Sequence, residues 1–260
     1  MKKIKASILI ANYNNQKYIK ECLNSLIKQT YKNIEIIFHD DNSSDASIIE
    51  AKKFKKIKII KNLKRGKFGS YNQIFAYERA FKISKGDIIF FLDSDDLFVK
   101  NKVEKIIKIF QQNKKIEAIY DLPIILENKN KKFVKNKKKI INPMWPYIPP
   151  QSCISIKRQY LKKIINKIKL KRFNDIWMDF RIAIFLKYVE NNFFVLEQNL
   201  TFYRKSINSA SSNFKFLSKN WWKRRLEAHE YIKFFFKKNN IIYKNKIDYI
   251  LTKLIVFLLG

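Results

Sequence analysis

The stretch GDIIFFLDSDD, at residues 86–96, places a continuous apolar run directly before three aspartates. A short apolar run that ends in polar residues is typical of a strand buried on both faces of a parallel sheet. Working outward, similar runs occur at residues 4–11, 34–38 and 57–60, and helical apolar spacing occurs at 17–29, 44–54 and 70–83. This alternation predicts right-handed βαβ units, and hence an α/β fold with a Rossmann-like, mostly parallel sheet flanked by helices.

After residue 96 the alternation becomes a mixed pattern. We expect a helix at 102–112, one or two strands at 116–126, a basic loop or hairpin at 129–139, an irregular proline-rich stretch at 142–150, a strand at 153–156 followed by a helix from about 159, a helix at 175–189 and a strand at 193–202. From residue 214 the chain is expected to be helical. These patterns predict one domain over residues 1–205 and a helical C-terminal extension over 206–260.

The composition predicts a globular protein with a strongly basic surface. Hydrophobic residues make up 47% of the 260, and 55 Lys and Arg against 22 Asp and Glu give a net charge of +33. That charge attracts polyanions, although a composition biased by an AT-rich coding genome would produce it as well. We recognise no secretory leader and no apolar stretch long enough to span a bilayer, so we expect a cytoplasmic protein.

Three acidic residues, Asp93, Asp95 and Asp96, follow the end of a predicted buried strand. Carboxylates crowded in this way repel one another and therefore need a cation. A hard divalent ion, Mg²⁺ or Mn²⁺, takes one or two carboxylates and completes its shell with phosphate oxygens. The alternative is that Asp95 or Asp96 caps the helix that begins near Lys102, for which one aspartate would be enough.

Two further polar clusters follow predicted strands. HDDNSSD, at residues 39–45, contains Asp40 and Asp41 and indicates either nucleotide-binding carboxylates or a turn with a helix cap. ANYNN, at residues 11–15, offers the ring of Tyr13 as a stacking surface for a base. Because ligands of parallel α/β sheets bind beyond the carboxyl ends of the strands, the three clusters together predict one site.

The runs SILIANYNNQKYIKECLNSLIKQTYKNIEIIFHDDNSSD and GDIIFFLDSDD resemble the family 2 glycosyltransferases of the GT-A fold. The resemblance is close over residues 4–100 and looser up to about 205. It implies a nucleotide-binding half at 1–100 and an acceptor half at 101–205. It also implies transfer of a sugar, with inversion, from a nucleotide diphosphate donor, commonly a UDP-sugar, to a glycan or glycolipid acceptor of the bacterial surface such as lipopolysaccharide or capsule.

The resemblance implies roles for individual residues on the donor side. The residues that would contact the nucleotide are Ala11, Asn12, Tyr13, Asn14, Asp40, Asp41, Arg65, Asn72, Asp93 and Ser94. Within this set, the Tyr13 loop and Asp41 would hold the base. The metal would be held by Asp95 and Asp93, with Asp96 beside them. Arg204, in LTFYRKS, would contact a phosphate, and Ser206 stands where many family members have a histidine.

Displacement with inversion needs one carboxylate base and no protein nucleophile. By resemblance, the segment RFNDIWMDFRIA at residues 172–183 holds that base. Asp179 fits the family's spacing best, although Met178 stands where a glutamate is usual, and Asp175 is the alternative. It remains open that Asp175 only caps the helix and that Asp179 only pairs with Arg181 or Lys187.

The acceptor side is less clearly marked. PPQSCISIKR, at residues 149–158, resembles the segment that lines the acceptor site and contains Ser152. Trp145 and Trp177 either stack on sugar rings or belong to the core. Aromatic and basic residues mix at 220–225, 231–236 and 251–259. This C-terminal profile predicts either an interfacial helix on an anionic membrane, which would make the protein peripheral, or a helical lid on the domain.

Two other functions compete with this interpretation. A sugar nucleotidyltransferase would carry a glycine-rich loop after its first strand, and ANYNNQ contains no glycine. A nucleic-acid-binding protein would explain the charge of +33. It would leave the aspartate clusters unexplained, because they repel phosphate unless a metal is bound. We therefore expect a nucleotide-sugar donor, a glycan acceptor and no nucleic-acid partner.

Overall fold

The computed structural model of the protein describes residues 3–127, 130–135, 149–190, 192–205, 213–243 and 246–260. Its strands are β1 (Ala6–Asn12), β2 (Ile34–Asp40), β3 (Ile57–Lys61), β4 (Ile88–Asp93), β5 (Leu97–Phe98), β6 (Ala118–Glu127), β7 (Asn130–Phe133), β8 (Ile154–Lys157) and β9 (Phe193–Lys205). Its helices are α1 (Gln16–Ile27), α2 (Ser47–Lys52), α3 (Gly69–Ile83), α4 (Lys102–Gln112), α5 (Arg158–Ile168), α6 (Met178–Phe185), α7 (Lys219–Lys238) and α8 (Lys246–Leu258).

The described strands form one nine-stranded sheet in the order β3-β2-β1-β4-β8-β6-β9-β5, with β7 paired to β6. β3, β2, β1 and β4 run parallel to one another. β8 runs antiparallel to both β4 and β6. The predicted α/β fold with a mostly parallel sheet flanked by helices is confirmed. The β4–β8 pair makes both halves of residues 1–205 parts of a single sheet.

Successive side chains of the central strands enter two different cores, because they alternate between the faces of the sheet. On β1, Ile8 and Ile10 pack in a core that also takes residues from α1 and α4. Leu9, between them, packs in the other core with residues from α3, α5, α6 and α7. Helices on both faces explain why the parallel strands are continuously apolar.

Some boundaries differ from those that the pattern predicts. α2 has six residues rather than spanning 44–54. The reason is that the Asp45 carboxylate accepts hydrogen bonds from the backbone N–H groups of Gln16 and Ser47, each at 2.9 Å, in an irregular loop before the helix. α6 begins only at Met178 and has Trp177 as its N-cap residue, so Asp175 does not cap it.

The segment after the aspartates also differs from the simplest expectation. The short strand β5 follows directly, and Asn101 occupies the N-cap position of α4. Asp95 and Asp96 therefore do not cap this helix, and the capping alternative is wrong. Within the predicted basic loop or hairpin at 129–139, β7 pairs antiparallel with β6. Residues 128–129 and 136–148 lie outside the described part of the chain.

The C-terminal helix α7 is part of the domain's core. Its buried side chains include Tyr231, Ile232 and Phe235, and the Phe235 ring centroid lies 4.6 Å from that of Phe185 in α6. The aromatic run at 231–236 thus covers the sheet domain instead of facing outward. In the described part of the chain, no helix combines the length and the apolar character that crossing a bilayer requires.

Candidate active site

Three polar strand ends meet at the carboxyl edge of the parallel half of the sheet. Asn12, at the end of β1, lies in register with Asp40 at the end of β2. Ala11 lies in register with Asp93 at the end of β4. The structure therefore brings together the three clusters that the sequence predicts to share a site, at the edge where parallel α/β sheets bind ligands.

Asn12 and Asp40 are buried and shape the loops around the site. Asn12 Nδ2 donates to Asp40 Oδ1 at 2.7 Å, and the backbone N–H of Ser43 donates to Asp40 Oδ2 at 2.9 Å. Both oxygens of Asp40 thus have partners within the protein. These bonds tie the loop after β1 to the loop after β2 and fix the positions of Tyr13 and Asp41.

The loop after β1 is held from a second side by Ser94. The N–H of Ser94 donates to the carbonyl of Ala11 at 3.2 Å, and Asn15 Nδ2 donates to the Ser94 hydroxyl at 2.9 Å. Asn14 has a φ of 49° and accepts a hydrogen bond from the N–H of Ser44 at 2.8 Å. Asparagine tolerates this left-handed conformation better than most residues, so the loop between Ala11 and Asn15 is fixed by its own side chains.

Tyr13 and Asp41 are linked by Arg65. The guanidinium carbon of Arg65 lies 3.6 Å from the centroid of the Tyr13 ring. Arg65 Nε donates to Asp41 Oδ2 at 2.9 Å, and Asn62 Nδ2 donates to Asp41 Oδ1 at 2.8 Å. Because Tyr13 is still 40% exposed, part of its ring stays open to a planar ligand such as a nucleotide base.

Asn72 holds the loop that carries Arg65. Its Oδ1 accepts from the N–H of Gly66 at 3.1 Å, and its Nδ2 donates to the carbonyl of Gly66 at 2.9 Å. A Cβ on Gly66 would stand 2.7 Å from that amide oxygen, so a larger residue there would displace the Asn72 side chain from these hydrogen bonds. The loop forms one wall of a cavity of about 280 Å³ that is also lined by Asp41 and Asn62.

Asp93 is held from the side of α3. Its Oδ1 accepts hydrogen bonds from Gln73 Nε2 at 3.0 Å and from the Tyr77 hydroxyl at 2.8 Å. Its backbone N–H donates to the hydroxyl of Ser152 at 3.0 Å. One carboxylate oxygen of Asp93 is therefore occupied by the protein.

Ser152 and Asp96 lie beneath the surface of the site. The fully buried Ser152 hydroxyl donates to Asp96 Oδ2 at 2.5 Å. Asp96 Oδ1 accepts from the backbone N–H of Arg204 at 2.8 Å. Ser152, expected to line the acceptor site, is thus buried under the aspartates, and Asp96 has a protein partner for each oxygen.

All three aspartates of the cluster have raised pKa values. Burial, followed by the charge of Asp95, raises the pKa of Asp93 to about 7. Burial raises the pKa of Asp95, against the opposing effects of its own backbone N–H and of Arg204. Burial and the charges of Asp95 and Asp93 raise the pKa of Asp96 well above its usual range.

A divalent cation would relieve this repulsion, and carboxylate oxygens are the ligands that Mg²⁺ and Mn²⁺ prefer. In the described part of the chain, no three His, Cys, Asp or Glu side chains form a ready-made metal cage. Carboxylates of this kind fit an ion that takes one or two of them and completes its shell with phosphate oxygens, as Mg²⁺ commonly does.

Asp179 lies in the first turn of α6, near this cluster. Its charge contributes to the raised pKa of Asp93 and to that of Tyr203 on β9. Burial raises the pKa of Asp179 itself, and the main opposing charge is Arg224 of α7. Asp175 lies before the helix, where its backbone N–H donates to Glu227 at 2.6 Å. Asp179 thus lies within electrostatic range of Asp93 at the end of β4.

Arg181 does not pair with Asp179. Its fully buried guanidinium donates to five backbone carbonyls, those of Ile168, Leu170, Arg172, Phe173 and Ile176. The alternative that Asp179 pairs with Arg181 is therefore wrong, because Arg181 holds the segment that leads into α6. Arg224, distant in sequence, supplies the positive charge instead.

Arg204 and Trp177 flank the site. Arg204 Nε donates to the carbonyl of Asp95 at 2.9 Å, and its Nη2 donates to Glu21 at 2.8 Å. Trp177 packs on the start of α3, where a Cβ on Gly69 would lie 3.3 Å from the indole. Trp145, the other candidate for sugar stacking, lies outside the described residues.

Several residues of the site were not predicted from the sequence. Gln73 and Tyr77 are four positions apart on α3 and so share one helical face, and this spacing could have identified them from the sequence. Arg224 has no local signal, because α7 reaches the site only through the fold. His39 is buried along the cavity near Asp41, and neither ring nitrogen has a hydrogen-bond partner among the described residues.

Comparison with known proteins identifies the family to which the sequence is similar. The family described as Glycosyl transferase family 2 matches residues 7–169. The Escherichia coli protein UDP-Glc:alpha-D-GlcNAc-diphosphoundecaprenol beta-1,3-glucosyltransferase WfaP is 40% identical over 111 residues, which cover 42% of this chain and 42% of WfaP. The chain spans 37% to 65% of the length of the first four curated relatives that it matches.

Two solved structures share the fold at low sequence identity. S. aureus TarS 1–349 in complex with UDP-GlcNAc superposes with a TM-score of 0.61 at 18% identity, over 87% of this chain and 66% of that one. The mannosyltransferase PcManGT from Pyrobaculum calidifontis, in complex with GDP-Man and Mn²⁺, superposes with a TM-score of 0.59 at 14% identity, over 98% and 70%. The fold is that of the GT-A glycosyltransferases, and the chain belongs to glycosyl transferase family 2.

Proposed function

We propose that the chain transfers a sugar from a UDP-sugar to a hydroxyl of a bacterial glycan, with inversion at the anomeric carbon. The observation that carries this proposal is the meeting of three polar strand ends at one sheet edge, with the charge of Asp179 within electrostatic range of Asp93. Displacement with inversion needs one carboxylate base next to the donor. Two proteins that share the fold hold UDP-GlcNAc and GDP-Man in their solved structures.

The donor would bind along the carboxyl edge of β1, β2 and β4. Its base would stack on the open part of Tyr13, with Asp41 accepting a hydrogen bond from it. Arg65 already contacts both residues and would set their spacing. Ala11, Asn12, Asn14, Asp40, Asn72 and Ser94 would act mainly by holding the loops, since their hydrogen bonds are made within the protein.

Asp95, together with Asp93, would hold the Mg²⁺ or Mn²⁺ ion. When bound, that ion would neutralise charge on the diphosphate leaving group. Gln73 and Tyr77 occupy Oδ1 of Asp93 and would orient its carboxylate toward the donor. Asp96 would keep the loop in place through Ser152, and Arg204, beside Asp95, would add positive charge near the phosphates.

Asp179 would accept the proton of the acceptor hydroxyl. As that oxygen bonds to the anomeric carbon, the bond from this carbon to the β-phosphate oxygen breaks, and its electron pair leaves with UDP. Burial raises the pKa of Asp179, which makes it a stronger base than an exposed aspartate. Arg224 opposes this rise and so keeps Asp179 available in its ionised form.

The acceptor would be a lipid-linked glycan. The named substrate of WfaP is a sugar on diphosphoundecaprenol. Trp177, two residues before Asp179, offers an indole that could stack on the acceptor sugar. Such an acceptor would place the protein on the cytoplasmic face of a membrane, as a peripheral protein.

The test is a comparison of UDP-, GDP-, CMP- and dTDP-sugars with Mn²⁺, followed by Asp179→Asn on the donor that reacts. Asparagine keeps the size of the side chain and removes the proton acceptor. We expect kcat to fall by about 10²-fold or more, the usual effect of losing a general base. Binding of UDP, measured by calorimetry, should stay near that of the wild type.

Asp175→Asn is the matched control, because Asp175 lies on the same segment and is not in the first turn of α6. It should keep kcat close to the wild-type value. An inactive Asp175→Asn with an active Asp179→Asn would transfer the base role to Asp175. If both variants were fully active, the base would lie elsewhere and the proposed site would be wrong.

A further inference from the structure

The helix α8 turns a stripe of apolar side chains outward, away from α7. Six apolar side chains form its outer stripe, each between 52% and 80% exposed. They are Ile247, Ile250, Leu251, Leu254, Phe257 and Leu258. Their spacing of three and four residues places them on one face of the helix. A soluble domain ordinarily buries such a face.

The inner side of α8 is tied to α7 by charged and polar groups. Arg225 Nη2 lies 2.7 Å from each carboxylate oxygen of Asp248. The hydroxyl of Tyr249 donates to Glu230. The ammonium of Lys233 lies 4.0 Å from the centroid of the Tyr249 ring. These contacts fix which side of α8 faces the domain, so the outward position of the apolar stripe is specified by the fold.

Two further exposed apolar side chains lie just before the start of α7. Phe216 and Leu217, just before α7, are 77% and 54% exposed. The end of α8 lies beside the start of α7, since a Cβ on Gly260 would stand 3.8 Å from Nζ of Lys219. The two exposed groups therefore lie at the same end of the helical pair. Exposed apolar surface of this extent marks an interaction surface.

The surroundings of the patch are basic. Residues 213–260 contain eleven Lys and Arg against three Asp and Glu. Lys253 is exposed at the border of the stripe, and Lys219 and Lys223 are exposed on α7. An apolar strip bordered by cations is complementary to a bilayer with anionic headgroups, which offers hydrocarbon and negative charge at one surface.

We infer that the outer face of α8 lies in the headgroup and acyl boundary of an anionic bilayer, parallel to the membrane plane. The inner face of the helix stays on α7, so only the outer half enters lipid. This inference rests on the proposed function, because a lipid-linked acceptor would make the membrane surface the place of reaction. It assigns the anchoring to α8 and removes it from the aromatic run of α7, which is part of the core.

The test uses the full chain and two triple variants. Ile250→Ser, Leu254→Ser and Phe257→Ser together remove half of the stripe. Ile49→Ser, Ile83→Ser and Phe133→Ser are the matched control, since they remove exposed apolar side chains elsewhere. Each protein is sedimented with vesicles of phosphatidylglycerol and phosphatidylcholine, and with vesicles of phosphatidylcholine alone, at low and high salt.

The stripe variant should bind the anionic vesicles at least about tenfold more weakly than the wild type, given the apolar area removed from lipid. The control should bind like the wild type. High salt should weaken wild-type binding without abolishing it, because screening acts on the lysines and not on the apolar contacts. Equal binding of the stripe variant and the control would overturn the inference.

Light scattering of the same proteins without lipid tests whether a second copy of the chain covers the outer face of α8 instead. A wild type that dimerises, fails to bind vesicles and becomes monomeric in the stripe variant would show that a second copy covers α8, which also overturns the inference. Release of UDP with a water-soluble acceptor should be equal in both triple variants. If no protein transfers sugar while vesicle binding depends on the stripe, the proposed function fails and the assignment of α8 stands.

Discussion

The environment of Asp93 acts on the pKa of its carboxyl in two opposite directions. Gln73 and Tyr77 donate to it and so favour its charged form. Burial and the neighbouring Asp95 outweigh them and raise the pKa to about 7. If Asp93 holds the proposed metal, a proton and a divalent ion would compete for the same group at neutral pH.

Binding of Mn²⁺ should strengthen as the pH rises through about 7, the value to which the pKa of Asp93 is raised. Below that pH the ion must displace a proton, and above it the carboxylate is already free. The rise in Tm caused by Mn²⁺ should therefore be larger above this pKa than below it. Asp93→Asn should lose most of the rise and its pH dependence. An equal rise at both pH values would contradict the assignment of Asp93 to the metal.

The position of α6 depends on the segment before it, which has no regular secondary structure. Residues 169–177 join α5 to α6, and Arg181 turns back from α6 to donate to carbonyls of this segment. Its guanidinium also lies 5.7 Å from the ring centroid of Tyr71 and 5.5 Å from that of Tyr231. A buried cation thus takes the place of backbone pairing that a helix or a strand would have supplied.

Arg181→Met should lower the free energy of unfolding by about 3–5 kcal/mol, the usual cost of breaking a buried charged network. Five carbonyls would lose their donor in the interior. Urea denaturation measures the change. Arg172→Met, at an exposed neighbouring position, is the control and should cost under about 1 kcal/mol. An equally small cost for Arg181→Met would mean that other donors reach these carbonyls.

The strand at 88–92 could be predicted from the sequence, whereas the start of α6 and its contacts with α7 could not. The run at 88–92 and the aspartates after it could be placed from local pattern, because a buried parallel strand leaves a continuous apolar signature. The start of α6 could not, because Trp177 ends up as its N-cap without any cap-forming side chain. Arg224 and Glu227 reach Asp179 and Asp175 from α7, and contacts between such distant segments leave no periodic trace.

Buried contacts join residues 1–100 to residues 101–205, the expected nucleotide-binding and acceptor halves. The fully buried Lys102 Nζ lies 2.6 Å from an oxygen of Asp121 on β6, and it donates to the carbonyl of Ser152 at 2.7 Å. Ser152 in turn holds Asp93 and Asp96. A buried ion pair of the second half thus supports the aspartates at the end of β4.

The protein should therefore unfold in a single cooperative transition, without a separate step for residues 1–100. Differential scanning calorimetry should show one peak, and UDP with Mn²⁺ should move that whole peak to higher temperature, because a ligand of the folded state stabilises everything that unfolds with its site. Two peaks, of which only one moves with UDP, would show that the halves are independent.

Arg224 and Arg225 are adjacent on α7 but interact with different parts of the protein. The charge of Arg224 lowers the pKa of Asp179, whereas Arg225 donates a hydrogen bond to Asp248 of α8. A helix of 20 residues is a stiff rod of about 30 Å. On the two proposals above, α7 would connect the catalytic base to the membrane anchor. A displacement of α8 relative to the sheet would then be passed along α7 to Arg224 and would change the proton affinity of Asp179.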